Sequence, residues 1–131
     1  MEPRRHDEHE VHESRNKKIV ETYMDGFRST DRSLILSTLT DDVEWDIPGA
    51  FHVRGKDEFT RHIVDEGFVG SPAINVTRLT ADHDVVVAEG TVRTPRKDGT
   101  VLNLAFCDVF EMQDGKIRRL ISYLVETTET G

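Results

Sequence analysis

Apolar residues recur along this chain with two different periods. From Asn16 onward, Ile19, Tyr23 and Phe27 fall at i, i+4 and i+8, and Val20 and Met24 widen the stripe, which predicts a helix with one apolar face. Ser29-Thr30-Asp31 interrupts it and offers a fresh N-cap, so a short second helix follows, burying Leu34, Ile35 and Leu39 and stopping at Thr40-Asp41-Asp42. The period then drops to two. Val43, Trp45 and Ile47 alternate with Glu44 and Asp46, as in a half-buried strand. Pro48-Gly49 turns the chain into a short strand, Phe51 to Arg54, which Gly55 ends. Lys56 to Glu66 reads as a third helix with Phe59 and Ile63 inward and Gly67 as its C-cap.

The remainder is strand and turn: Ala73 to Ala81, Val85 to Thr94, Thr100 to Met112 and Lys116 to Val125. A tight Asp82-His83-Asp84 turn joins the first two, and the Asp-Gly pairs at 98–99 and 114–115 are hairpin signals. Helices first and an antiparallel meander last predict the α+β class. Residues 1–15 hold Val11 as their only large apolar side chain besides Met1, too little burial to offset ordering entropy, so they read as a disordered tail. The folded domain is then 16–126, with 127–131 a short C-terminal tail.

Two strands are apolar on both faces. In the strand from Thr100, Leu102, Leu104, Phe106, Phe110 and Met112 share a face with Asp108, while Val101, Ala105, Cys107 and Val109 occupy the other. The last strand has Leu120 and Leu124 on one side and Ile121, Tyr123 and Val125 on the other. A sheet covering helices on one face should be polar on its back. This pattern predicts a homodimer joined through the back of the sheet; a lone domain with an apolar back is the alternative.

Composition narrows the function. The 131 residues include 17 Lys plus Arg against 25 Asp plus Glu, a formal net charge of -8, which repels phosphate backbones and argues against nucleic acid as a partner. No apolar run approaches the roughly 20 residues of a membrane span, and no apolar stretch follows Arg4-Arg5, so neither a membrane partner nor a secretory signal is expected. The single Cys107 cannot form an internal disulfide, in keeping with a cytoplasmic protein. His6, His9 and His12 recur every third residue but lack companion ligands, and His52, His62 and His83 lie on different elements, so no metal site is expected. No Gly-rich phosphate loop precedes a helix, and no cofactor is implied.

Three polar side chains fall where the pattern predicts an interior. Tyr23 is in the middle of the first helical stripe, Asp108 is in phase with apolar strand residues, and His62 can look inward from the third helix beside Phe59 and Ile63. Burying a carboxylate is costly unless it is protonated, bonded or paired. A neutral carboxylic acid beside a phenol can donate two hydrogen bonds to an oxygen that gains negative charge. The plainer reading is that Asp108 and Tyr23 satisfy themselves within the core and that His62 is a partly exposed helix residue.

The order helix, helix, "TDDVEWDIPG", "VRGKDEF", then a meander carrying "CDVFEMQDGKI" resembles the nuclear transport factor two-like superfamily, over about residues 16–126. That resemblance implies a cone-shaped curved antiparallel sheet around three N-terminal helices, as in ketosteroid isomerases, SnoaL-like polyketide cyclases and limonene epoxide hydrolases; many functions share this cone. Tyr23, eighteen residues ahead of Asp41, falls where the isomerase has its oxyanion-hole tyrosine, and Asp108 where it has a neutral aspartic acid. The isomerase's proton-shuttling aspartate falls on Ile47, with Asp46 pointing to the opposite face unless the strand slips. His62 is the substitute base the resemblance offers. The hydrolase's Asp-Arg-Asp set falls on Gly90, Val92 and Ser122, none of which activates water. In a cyclase, Asp108 would instead be ionised and accept the proton.

The pocket so implied has Tyr23, Asp108 and His62 as catalytic groups, with Trp45, Ile47, Phe59, Phe106, Leu120, Ser122 and Leu124 as walls and the small Ala88 and Gly90 leaving room. An apolar cavity with a few convergent polar groups suits a small hydrophobic carbonyl compound, such as a polyketide, terpenoid or steroid. The expected function is a cofactor-independent isomerase, cyclase or lyase. The alternatives are a non-catalytic small-molecule-binding dimer and an interaction module like the transport factor.

Overall fold

The computed structural model describes residues 4–63 and 67–127. Three helices, α1 (Arg4–Ser29), α2 (Arg32–Ser37) and α3 (Lys56–Arg61), cover a sheet of six strands: β1 (Leu39–Ile47), β2 (Phe51–Arg54), β3 (Ala73–Asp82), β4 (Val85–Pro95), β5 (Val101–Gln113) and β6 (Lys116–Glu126). The strand order is β2-β1-β6-β5-β4-β3. All neighbours run antiparallel except β1 and β6, which are parallel, so the sheet is mixed and does not close into a barrel.

α1 begins well before the Asn16 at which its apolar stripe starts, so residues from Arg4 that read as a disordered tail are helical. Polar contacts to the β3–β4 turn hold this half. Glu13 accepts the His83 backbone N–H at 2.9 Å, His12 pairs with Asp84, and the buried Asn16 amide reaches the His83 carbonyl. Residues 1–3 and 128–131 of the expected tails lie outside the described residues; Thr127 is still tied to Asn103 by a backbone bond. The helix break falls as the sequence indicates: Thr30 takes φ +51°, and Asp31 caps α2 by accepting the Leu34 N–H.

α3 is shorter than expected, ending at Arg61 with His62 as its C-cap, so Gly67 is not its cap. His62 and Ile63 bond back to the carbonyls three residues earlier, tightening the end. Phe59 and Ile63 are nonetheless buried. The hairpin turn at 114–115 has positive φ at both residues, which suits an Asp-Gly pair.

Three irregularities bend the sheet: in β3 between Val76 and Arg78, where β5 meets β6 near Glu111 and Met112, and between Leu39 and Glu44 of β1. The first lets both Val76 and Leu79 face the core, and the second does so for Ile117 and Leu120, positions a strict two-residue period would send to opposite faces. The core lies between this inner face and the helices, led by Val20, Ile35, Leu39, Phe59, Phe110 and Leu120. The outer face carries rows of Val87, Val109 and Ile121, then Cys107 and Tyr123, then Ala105 and Val125. No helix among the described residues is long and apolar enough to cross a membrane.

Candidate functional site

Asp108 and Ser122 are cross-strand neighbours on the inner face of β5 and β6, and Trp45 reaches them from β1. Antiparallel pairing sets the two inward side chains of Asp108 and Ser122 side by side. The Trp45 indole N–H donates to Ser122 Oγ at 3.0 Å. That bond occupies an acceptor site on the hydroxyl and leaves its own proton free to turn toward Asp108. Tyr23 comes down from α1 in the same stripe as Phe27, and its ring meets Phe27 at 5.0 Å and Phe110 at 5.4 Å.

These groups bound a cavity of about 170 Å³. Tyr23, Asp108 and Ser122 supply its polar side chains, together with the Trp45 indole. Its apolar wall is Met24 and Phe27 of α1, Ile47 of β1, Pro72 and Ile74, and Val92, Leu104, Phe106 and Leu124 of the sheet. A second depression of about 420 Å³ shares Trp45, Ile47, Pro72, Leu104 and Leu124 with the first and continues outward past Phe51, His62, Phe68 and Leu102. The two spaces share a wall, and the inner one carries its few polar groups on an otherwise apolar lining.

Burial dominates the electrostatics. Asp108 is 9% exposed, and its Oδ1 has no hydrogen-bond partner among the described residues. Desolvation lifts its carboxyl from the ordinary range to about 7, with the Ser122 hydroxyl pulling the other way. Tyr23 is driven well above the usual phenol value by burial first and by the neighbouring Asp108 charge second, so it remains a donor.

Of the residues singled out from the sequence, Tyr23, Asp108, Trp45, Ile47, Phe106, Ser122 and Leu124 come together here. His62 does not share this inner wall. It lies on the outer depression, because α3 ends one residue before it and leaves its ring at the surface against Phe51. Phe59, Ala88 and Leu120 are fully buried in the core beneath the cavity, with Phe59 stacked on Trp45 at 4.5 Å. Gly90 leaves no room for a ligand: a Cβ there would sit 2.0 Å from the Asn75 carbonyl oxygen, so the backbone of β3 fills the space. Asp46 pairs regularly with His52 across β1 and β2 and stays off the cavity wall; the strand does not slip at this point. Met24 and Phe27 were legible as neighbours of Tyr23 on one helical stripe, whereas Pro72 precedes a strand and carries no periodic signal.

A groove of about 580 Å³ between α1 and β3 is larger, and two of its three lining cations are already engaged. Arg28 pairs with Asp25, and Arg78 with Glu89. Among the described residues no group of three or more His, Cys, Asp or Glu side chains is placed to hold a metal ion. Of the three histidines in the N-terminal segment, His12 is engaged with Asp84; His6 and His9 are side chains outside the described set.

Comparison with known proteins agrees with this geometry. No curated protein matches the chain. Among solved structures, an LEH-like epoxide hydrolase of M. tuberculosis superposes with a TM-score of 0.76 at 23% identity, covering 86% of this chain and 84% of that one. A protein from Xanthomonas campestris pv. campestris inferred to be a polyketide cyclase gives 0.78 at 22% identity, over 86% and 91%. TerC co-crystallised with polyporic acid gives 0.73 at 26% identity, over 82% and 89%. Residues 20–120 match the sequence profile of the SnoaL-like domain. With most of its length inside that profile and its helices and open sheet arranged as in those relatives, the chain belongs to the SnoaL-like family of the nuclear transport factor two-like superfamily.

Proposed function

We propose that this chain is a cofactor-independent enzyme of the isomerase, cyclase or lyase type, acting on a small hydrophobic carbonyl compound through an enol or enolate. The observation that carries this reading is the buried carboxyl of Asp108, with one oxygen lacking a hydrogen-bond partner among the described residues, beside a phenol in an otherwise apolar cavity. A carboxyl poised near neutrality exchanges its proton readily in both directions. As a carboxylate it removes a proton from the carbon next to the carbonyl. The C–H electron pair becomes the new C=C bond, and the carbonyl π pair moves onto oxygen, where the Tyr23 O–H meets it. Asp108 then returns the proton to another carbon, or the enolate carbon attacks elsewhere in the substrate. His62, on the outer depression, is not needed for this step. The similarity to an epoxide hydrolase does not favour epoxide opening, because Gly90, Val92 and Ser122 stand at the positions expected for that chemistry.

Phenol, as an enolate mimic, should bind more tightly than cyclohexanol, and Tyr23→Phe should weaken phenol by roughly tenfold to a hundredfold, the worth of a hydrogen bond to a charged oxygen. Quenching of Trp45 fluorescence reports both affinities. Equal binding of the two alcohols removes the oxyanion role. The alternative, a non-catalytic ligand-binding domain, is favoured by one observation: Asp108 is the only carboxylate among the cavity's described lining residues.

We further infer that two copies pair through the outer face of the sheet. Tyr123 is 49% and Val125 64% exposed there, in an apolar field flanked by the Arg78–Glu89 and Arg119–Glu111 ion pairs. Light scattering should give twice the chain mass, and Tyr123→Glu should give the monomer with an unchanged circular dichroism spectrum. A monomeric wild type excludes the pairing.

A further inference from the structure

The inner cavity is too small for a whole drug-sized ligand. Its volume of about 170 Å³ is close to that of an engineered cavity, about 150 Å³, that takes up one benzene. One six-membered ring therefore fills it. Whatever extends beyond that ring must run along the shared wall of Trp45, Ile47 and Leu124 into the outer depression of about 420 Å³.

That outer space is apolar apart from Thr30, His62 and Thr94. The Thr30 hydroxyl is already bonded to Ser71, and Thr94 is buried in its strand. His62 is different. Its Nδ1 lies 3.1 Å from the Glu58 backbone carbonyl. A carbonyl oxygen only accepts, so Nδ1 carries the hydrogen and the neutral ring keeps a bare lone pair on Nε2. Among the described residues nothing meets Nε2. Phe51 packs on the ring at 4.3 Å between centroids and holds its plane. The result is an oriented acceptor on an apolar wall, at the surface end of the depression, where the donor of a ligand can replace water.

We propose that the ligand of this site is two-ended: one ring bearing the carbonyl or enol oxygen fills the inner cavity, and a hydroxyl on a second part of the molecule donates to His62 Nε2 in the outer depression. This deepens the enolate reading and rests on the inner cavity being the binding site. His62 then selects the substrate, and proton transfer at carbon stays with Asp108.

The test uses two probes in the full-length protein: para-benzylphenol and its para,para′-dihydroxy counterpart, with affinities from titration calorimetry. The dihydroxy compound should bind the wild type roughly tenfold more tightly, well beyond the twofold that its symmetry supplies. His62→Phe should erase that advantage, bringing the ratio of the two affinities to about two, and His62→Gln, whose amide oxygen accepts a hydrogen bond, should restore part of it. Tyr23→Phe should weaken both probes alike and leave their ratio unchanged. If the ratio is only about two while Tyr23→Phe weakens both probes, the two-ended ligand is wrong and the inner site stands. If neither probe binds, or Tyr23→Phe alters neither affinity, the inner site falls as well.

Discussion

Asp108→Asn is expected to abolish most of the proposed enolate chemistry and, above neutral pH, to yield a more stable protein than the wild type. In the folded chain the carboxyl holds its proton up to about pH 7, against about 3.9 in an unfolded chain. Between those values the folded state binds more protons than the unfolded one, so this group's contribution to stability falls as pH rises. It is at its most favourable below about pH 4 and is lost by about pH 7, beyond which the burden is constant. For a side chain this deeply buried, the difference amounts to a few kcal/mol. Asparagine carries no charge to desolvate. The variant should match the wild type near pH 4 in urea midpoint and exceed it at pH 8, while turnover drops by roughly 10²–10⁴. A stability difference that does not vary with pH would mean that Asp108 does not hold this proton in the fold. A site that resists its own burial is what a poised acid–base group requires.

The second large effect is structural. Gly90→Ala is expected to destabilise the fold by at least about 3 kcal/mol, the upper end of ordinary overpacking, because the added carbon meets backbone. Its Cβ would lie 2.0 Å from the Asn75 oxygen and 3.0 Å from the Phe106 ring, and neither β3 nor β5 can withdraw without breaking the ladders they share with β4. Gly26→Ala is the internal control. There the intruding carbon meets Ile35 Cγ1 at 2.6 Å and the Ile35 backbone nitrogen at 3.2 Å, a less severe overlap than 2.0 Å from a backbone oxygen, so the loss should be smaller. Thermal or urea unfolding ranks the two, and hydrogen exchange should show β3 amides losing protection first in the Gly90 variant. An unchanged midpoint for Gly90→Ala would contradict the close approach of β3.

What the sequence conveyed, and what it withheld, follows from how each feature is encoded. The strands of the meander fell within a residue or so of their positions, because alternation and Asp-Gly turns are local signals. The parallel pairing of β1 with β6 was not legible, since periodicity marks a strand without naming its partner. The N-terminal half of α1 was missed for a related reason. It is held by His12, Glu13 and Asn16 against one distant turn, and such polar contacts leave no repeat in the chain. Asp108 was legible because a carboxylate in an apolar phase is an anomaly visible in one dimension. Gly90 was misread: a missing side chain looks like vacant space until the β3 backbone at Asn75 is seen to occupy the gap. His62 was assigned to the pocket on helical phase, and the early end of α3 moved it to the outer wall.

The borders of the sheet have a consequence of their own. On one side β2 offers only four residues; on the other, β3 is kinked between Val76 and Arg78 and presents the charged Arg78. Short or kinked borders with charge are poor templates for an incoming backbone. The pairing proposed above, face to face across a twofold axis, would cover the exposed apolar surface of the sheet. Crowded solutions of this protein should therefore stay clear, because among the described residues neither border of the sheet offers a long, flat, uncharged strand on which fibrils grow.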